Sequence, residues 1–92
     1  MLRTMITDTA FEQTWVLQGK LSGRWAVDLR QRWDEAKSTR QGRMCVVNLE
    51  DVIYVDREGE ELLRQILTEG AQLVASRAYM KDIVASLNVR NS

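Results

Sequence analysis

Alternating apolar and polar residues predict a half-buried strand over residues 12–21, in the segment EQTWVLQGKL. One face of this strand carries Trp15, Leu17, Gly19 and Leu21. The preceding segment LRTMIT predicts a further, weaker strand. After Ser22 and Gly23, apolar residues recur every three or four positions, which predicts an amphipathic helix from Arg24 to Ser38. The segment STRQG then predicts a loop.

In the second half of the chain, the spacing of apolar residues again alternates between that of strands and that of helices. The β-branched run MCVVNL predicts a central strand covered on both faces. The segment DREG predicts a polar turn from Asp56 to Gly59, before a second helix that ends near Gly70. The segment AQLVAS, residues 71–76, predicts another strand. A third helix is indicated by the apolar residues Tyr79, Met80, Ile83, Val84 and Leu87.

The predicted order is ββαβαβα, which is a layered α/β fold. Strands that alternate with helices imply right-handed crossovers and a mixed, mostly parallel sheet with amphipathic helices. A length of 92 residues predicts a single domain over residues 1–92.

Composition and charge exclude several classes of function. Charged residues make up 28% of the chain, but the formal net charge is 0, so we expect no nucleic-acid partner. No run of 18 apolar residues is present, so we expect no membrane insertion. A single cysteine, Cys45, favours a cytoplasmic location. Histidine is absent, and we expect no metal, no cofactor and no enzymatic activity.

Aromatic and basic residues outside the DREG segment fit structural roles. Trp15 and Trp33 lie on apolar stripes and are predicted to be core residues, whereas Trp25 is predicted at an edge. Cys45 is predicted to be a small buried hydrophobic residue. A basic stretch is interpreted as a solvated surface rather than a nucleic-acid site; it contains Arg30, Arg32, Lys37, Arg40 and Arg43.

The stretches VLQGKLSG and CVVNLEDVIYVDREGEELL, in this order of elements, resemble the STAS domain of bacterial anti-sigma factor antagonists. The resemblance covers residues 12–88. Asn48 stands where the family usually has an aspartate. The matching positions are Leu17, Gly19, Leu21, Leu49, Val52, Tyr54, Val55, Asp56 and Gly59.

The resemblance implies a non-catalytic protein-interaction module in bacterial signalling and transcription regulation. In such antagonists, a partner anti-sigma kinase phosphorylates a Ser or Thr in the turn, and phosphorylation abolishes binding. This chain has Arg57 and Glu58 at the two hydroxyl positions, so the resemblance implies no phosphorylation site there. The predicted partner-binding surface consists of Asp56, Arg57, Glu58, Gly59, Glu60, Glu61 and Arg64.

Two interpretations of the replaced hydroxyls remain open. Glu58, with Glu60 and Glu61, could supply a permanent negative charge that resembles the phosphorylated state. Alternatively, Asp56 caps the second helix, and the glutamates favour its positive end. Gly59 is interpreted as a site of close backbone approach rather than of phosphate binding.

Two other functions are compatible with the resemblance. The chain could be an accessory STAS subunit that binds the cytoplasmic ATPase of an ABC-type lipid transporter. It could also be a nucleotide-binding regulator, since some STAS domains bind nucleotides.

Family members continue past the third helix, whereas this chain ends SLNVRNS. We therefore expect the strand near Leu73–Ala75 to form a sheet edge. We also expect a homodimer, or docking on a larger subunit, through this edge or the third helix.

Overall fold

The computed structural model describes residues 1–40 and 42–91, with side chains described through Leu87. Gln41, in the predicted STRQG loop, and Ser92 lie outside the described residues. The elements are β1 (Leu2–Asp8), β2 (Glu12–Leu21), α1 (Gly23–Glu35), α2 (Lys37–Arg40), β3 (Met44–Val55), α3 (Arg57–Thr68), β4 (Gln72–Val74) and α4 (Ala78–Asn91). The predicted order ββαβαβα is confirmed, with one short helix, α2, added.

The first helix ends earlier than the predicted boundary at Ser38. Helix α1 stops at Glu35, because side chains take over the carbonyl groups at its end. The Thr39 hydroxyl donates to the carbonyl of Ala36 at 2.8 Å, and the Arg40 guanidinium donates to that of Trp33 at 2.6 Å. These local hydrogen bonds compete with helix propagation, and the chain re-forms as the separate short helix α2.

The sheet has the strand order β1-β2-β3-β4. Strand β1 pairs antiparallel with β2, whereas the β2–β3 and β3–β4 pairs are parallel. The mixed, mostly parallel sheet is therefore confirmed. Strand β4 pairs only with β3 in the part of the chain that the structure describes, so the predicted edge strand is also found, although it covers only Gln72–Val74.

Strand β3 runs on to Val55, well past the predicted MCVVNL segment. Two register shifts against β2 each insert one extra residue into β3. Leu49, Val52 and Val55 consequently all reach the buried face, although they are spaced by three residues. Regular strand alternation would have turned Val52 to the opposite face.

One face of the sheet carries the hydrophobic core. Trp15 and Trp33 are buried, as predicted, with ring centroids 5.3 Å apart and planes tilted by 56°. Helix α4 contributes Met80 and Leu87 to this core, and α3 contributes Leu62, Leu63 and Ile66.

The prediction that MCVVNL is covered on both faces is wrong. Cys45, Val47 and Leu49 are buried, but Met44 is exposed and Val46 is only half-buried. The physical reason is the strand order. Strands β2, β3 and β4 are parallel and each is added on the same side of the previous strand. Right-handed crossovers therefore place their connecting helices on the same face of the sheet. The opposite face, called the open face below, is left without a helix from the described residues.

Candidate functional site

Asp56 lies where β3 ends and α3 begins, and its carboxylate caps two helices at once. Its Oδ1 accepts a hydrogen bond of 2.9 Å from the backbone N–H of Gly59, in the first turn of α3. Its Oδ2 accepts another of 2.9 Å from the backbone N–H of Gly23, the first residue of α1. The predicted capping role is thus observed, together with a second cap.

The second cap explains how α1 starts. Ser22 occupies the N-cap position of α1, but its side chain makes no capping hydrogen bond. Asp56 supplies the missing acceptor from 33 residues further along the chain. This is possible because β2 and β3 are parallel neighbours and their ends, Leu21 and Val55, are paired in register. No local sequence signal could have identified this contact.

The N-termini of α1 and α3 also affect the pKa of the Asp56 carboxyl. The N–H groups of Gly59 and, next, Gly23 hold the pKa of the carboxyl below its usual value of 3.8. Asp56 is therefore ionised near neutral pH, and its negative charge lies at the positive ends of two helix dipoles.

The DREG segment is not a turn that precedes the helix, as the sequence pattern predicted. Helix α3 begins at Arg57, directly after the N-cap residue Asp56, and Gly59 lies within the first helical turn. The correction follows from the capping geometry, because the N-cap carboxylate bonds the N–H three residues on and closes that turn.

Gly59 allows the close backbone approach that the sequence suggested. A Cβ atom at this position would overlap the carbonyl oxygen of Leu21 and lie 2.8 Å from Cγ1 of Val55. The absence of a side chain therefore lets the start of α3 pack directly on the ends of β2 and β3. Asp56 and Gly59 therefore both make structural contacts: each carboxylate oxygen of Asp56 accepts a hydrogen bond from a backbone N–H, and Gly59 is buried.

Charged residues near the start of α3 form the outer part of the site, where Arg57, Glu58 and Glu61 are exposed and Glu60 and Arg64 are half-buried. The Arg57 side chain is 90% exposed, and its Nε lies 3.7 Å from Oε1 of Glu61, one turn on. A shallow cleft of about 320 Å³ is lined by Arg57, Glu60, Glu61 and Arg64. Glu58 is exposed but does not line this cleft. The helix therefore groups two arginines with two glutamates and separates them from Glu58.

The opposite side of α3 is tied to α1 through Glu69, which the sequence analysis did not single out. Its carboxylate accepts hydrogen bonds from the Trp33 indole at 3.1 Å and the Gln65 amide at 3.0 Å, and Lys37 lies 3.3 Å away. Partial burial raises the pKa of Glu69, but these donors outweigh it and the net pKa is lowered. The network connects the helices rather than forming a reactive centre.

Tyr79 adds a contact from α4 to the same end of the sheet. Its hydroxyl oxygen accepts a hydrogen bond of 3.0 Å from the backbone N–H of Val55, immediately before Asp56. Although the sequence pattern placed Tyr79 only on an apolar stripe, the residue is 45% exposed and binds backbone. A tyrosine in a first helical turn was the available signal, but it could not identify the backbone N–H of Val55 as the donor.

The interpretation of the basic stretch as a solvated surface is wrong for two of its members. The Arg40 guanidinium lies 3.7 Å from the centroid of the Trp33 ring. Arg43 donates to the carbonyls of Thr39 and Thr9, and its side chain is only 18% exposed. Both guanidinium groups therefore contact other parts of the protein instead of solvent alone.

The remaining candidates agree with structural roles. Cys45 is buried, and this burial raises the pKa of its thiol. Trp25 is half-buried beside the Arg24 guanidinium, consistent with its predicted edge position. Across residues 1–40 and 42–91, no group of three His, Cys, Asp or Glu residues is arranged to hold a metal ion. No helix in those ranges is long and apolar enough to cross a membrane.

Solved structures with a similar fold include the anti-sigma factor antagonist SpoIIAA in its unphosphorylated form. It aligns with 88% of this chain and 80% of its own, with a TM-score of 0.63 and 15% sequence identity. The chain has the STAS fold. A protein named Mglu aligns with 79% of the chain at a TM-score of 0.60 and 18% identity, but the chain spans only 19% of that protein. No family model and no curated protein sequence matches the chain.

Within this STAS fold, the two sequence stretches that carried the resemblance are neighbours. The LSG end of VLQGKLSG and the DREG segment meet through Asp56, whose backbone N–H also donates to the carbonyl of Leu21 at 3.3 Å. The shared pattern is thus explained by one structural junction between β2, α1, β3 and α3.

Proposed function

We propose that this protein is a non-catalytic interaction module of the anti-sigma factor antagonist type, which acts as a single domain by binding a protein partner. The observation that supports this most directly is the STAS fold shared with SpoIIAA over 88% of the chain. The start of α3 adds an exposed, charged surface on a rigid base, because its helix is capped by Asp56 and packed through Gly59.

The proposed contact surface consists of charged residues near the start of α3, and Asp56 and Gly59 hold this surface in place. Its charged residues are Arg57, Glu58, Glu60, Glu61 and Arg64. The partner is of the anti-sigma factor or serine kinase type. Charges at such a surface act mainly on specificity and association rate.

The phosphorylation switch is lost in this proposal. Arg57 and Glu58 occupy the first turn of α3, and neither side chain can accept a phosphate on a hydroxyl. A carboxylate carries less charge and fewer acceptor oxygens than a phosphate group. Glu58 therefore supplies a constant, weaker negative charge at the helix N-terminus, and partner binding does not depend on a kinase reaction.

Affinity purification from the native host, followed by binding measurements with the purified partner, tests the proposal. We expect the Glu58→Ala variant to change the affinity by about tenfold, because a charge at the contact is removed. The matched control is Glu35→Ala, which removes an exposed glutamate on α1 and should leave the affinity unchanged.

The identity of the partner separates the functional classes. Recovery of an anti-sigma factor or serine kinase supports the proposal, whereas recovery of a transporter ATPase favours the accessory-subunit alternative. Equal affinities for the wild-type protein and Glu58→Ala, Arg57→Ala and Arg64→Ala variants would remove the α3 surface from the binding site.

A further inference from the structure

The open face of the sheet presents a regular array of side chains across all four strands. Strand register places Met5, Val16, Asn48 and Val74 in one row. The next row contains Thr7, Thr14, Val46 and Gln72. Met5 is 42% exposed and Val74 is 39% exposed. Apolar side chains thus fill three of the four positions in the first row, with Asn48 between Val16 and Val74, whereas the next row is mostly polar.

The ends of the open face extend this apolar surface. Met44, at the start of β3, is 50% exposed, and Tyr54, near its end, is 47% exposed. Parallel strands are usually covered on both faces, so an uncovered face over the β2-β3-β4 part of the sheet is unusual. This face is on the opposite side of the sheet from the helices that bear the proposed partner-binding surface.

The size of the open face allows a weak but specific interface. Four strands about 4.8 Å apart, with about eight residues at a rise of about 3.3 Å, give a face of roughly 19 by 26 Å. Two such faces in contact would bury about 1,000 Å² in total, which is near the lower limit for specific interfaces.

Arg3 and two carboxylates lie towards opposite edges of this face, and Lys20 lies between these edges on β2. Arg3, on β1, is exposed and has no ion-pair partner among the described residues. On β3, just beyond the residues paired with β4, Glu50 accepts a hydrogen bond from Ser76. Asp51 lies 3.8 Å from Arg77 and accepts a hydrogen bond from the Gln18 amide. Among the described residues, Asp51 has one cation, Arg77, and Glu50 has none, while Arg3 at the β1 edge has no carboxylate.

We propose that a second copy of this chain covers the open face, related by a two-fold axis that runs between β2 and β3 and parallel to them. This axis places β1 of one copy over β4 of the other. Arg3 then faces the acidic pair of Glu50 and Asp51, and Met5 faces Val74. Each contact occurs twice. A two-fold axis perpendicular to the strands would instead place Arg3 over Thr7 of the other copy, because Asp8 alternates to the opposite face of β1 and pairs with Arg43. Charge complementarity therefore selects the first arrangement.

Sedimentation velocity over a range extending into hundreds of micromolar tests this dimer. We expect a dissociation constant in the micromolar range for the wild-type protein. The Val16→Glu variant, in the central row, should be monomeric throughout the range. The matched control is Val27→Glu, because Val27 is 58% exposed on α1 and lies outside the interface. Circular dichroism verifies that both variants are folded.

A charge-exchange experiment tests the orientation of the two copies. Arg3→Glu and Asp51→Lys should each raise the dissociation constant by about tenfold, and the double variant should restore it to near the wild-type value. A wild-type protein that stays monomeric over the whole range overturns the proposal. A dimer that is unchanged in folded Val16→Glu also overturns it, and would favour the β4 edge or α4 as the interface. Failure of the charge exchange alone overturns the proposed axis.

Discussion

Replacing Asp56 by Ala should destabilise the protein by more than a single lost helix cap. The carboxylate accepts hydrogen bonds from both Gly59 and Gly23, so Ala removes the cap of α3 and that of α1. One N-cap contributes about 1 kcal/mol, which gives a loss of about 2 kcal/mol for the two. For a domain of this size, that loss lowers the melting temperature by about 10 °C.

Urea unfolding, monitored by circular dichroism, should show this loss as a lower midpoint urea concentration. The slope of the unfolding free energy against urea concentration should not change. The Ser22→Ala variant is the control, since the Ser22 side chain makes no capping bond and its removal should cost less than about 0.5 kcal/mol. Asp56→Asn retains one side-chain oxygen and should give an intermediate loss. A loss for Asp56→Ala that equals that of Ser22→Ala would refute the double cap.

The pH dependence provides a second check on the same carboxylate. Because the folded pKa of Asp56 is lowered, its contribution to stability is complete above the usual pKa of 3.8 and decreases as pH falls through the folded value. The difference in unfolding free energy between the wild-type protein and Asp56→Ala should therefore be constant near neutral pH and shrink below about pH 4. A difference that grows towards acid pH would contradict the assigned hydrogen bonds.

Two further substitutions test the packing around α3. Gly59→Ala should cost about 2 to 3 kcal/mol in urea unfolding, because its Cβ would overlap the carbonyl of Leu21; a neutral effect would contradict the close approach. Glu69→Ala should cost about 1 kcal/mol, whereas Glu69→Gln should cost less, since the amide oxygen can still accept from Trp33. Equal losses for the two Glu69 variants would assign the effect to its ion pair with Lys37 instead.

The hydrophobic periods predicted most of the fold because each element buries one side of a regular backbone. Residues 12–21 alternate as a strand, and the apolar residues of α1 recur with the helical period, so both elements were predicted within a few residues. The end of α1 was missed, because it depends on bonds from Thr39 and Arg40 to particular carbonyls. Periodicity carries no information about such contacts.

For the candidate site, local reasoning predicted the Asp56 cap of α3 and the role of Gly59. It placed the helix start three residues too late, because a polar segment that ends in glycine is also typical of a turn. Local reasoning could not predict that Arg57 and Glu61 line the same cleft while Glu58 lies outside it. This grouping requires the helix to begin at Arg57.

The sequence by itself determined the main elements and their order, and the side that β2 and α1 bury, because these depend on residues a few positions apart. The tertiary structure alone decided which strands are neighbours. That arrangement brings Asp56 to Gly23, 33 residues away, and leaves one face of the sheet without helices. Both features follow because the parallel strands β2, β3 and β4 are added one after another across the sheet. No local pattern of apolar and polar residues specifies this order of neighbours.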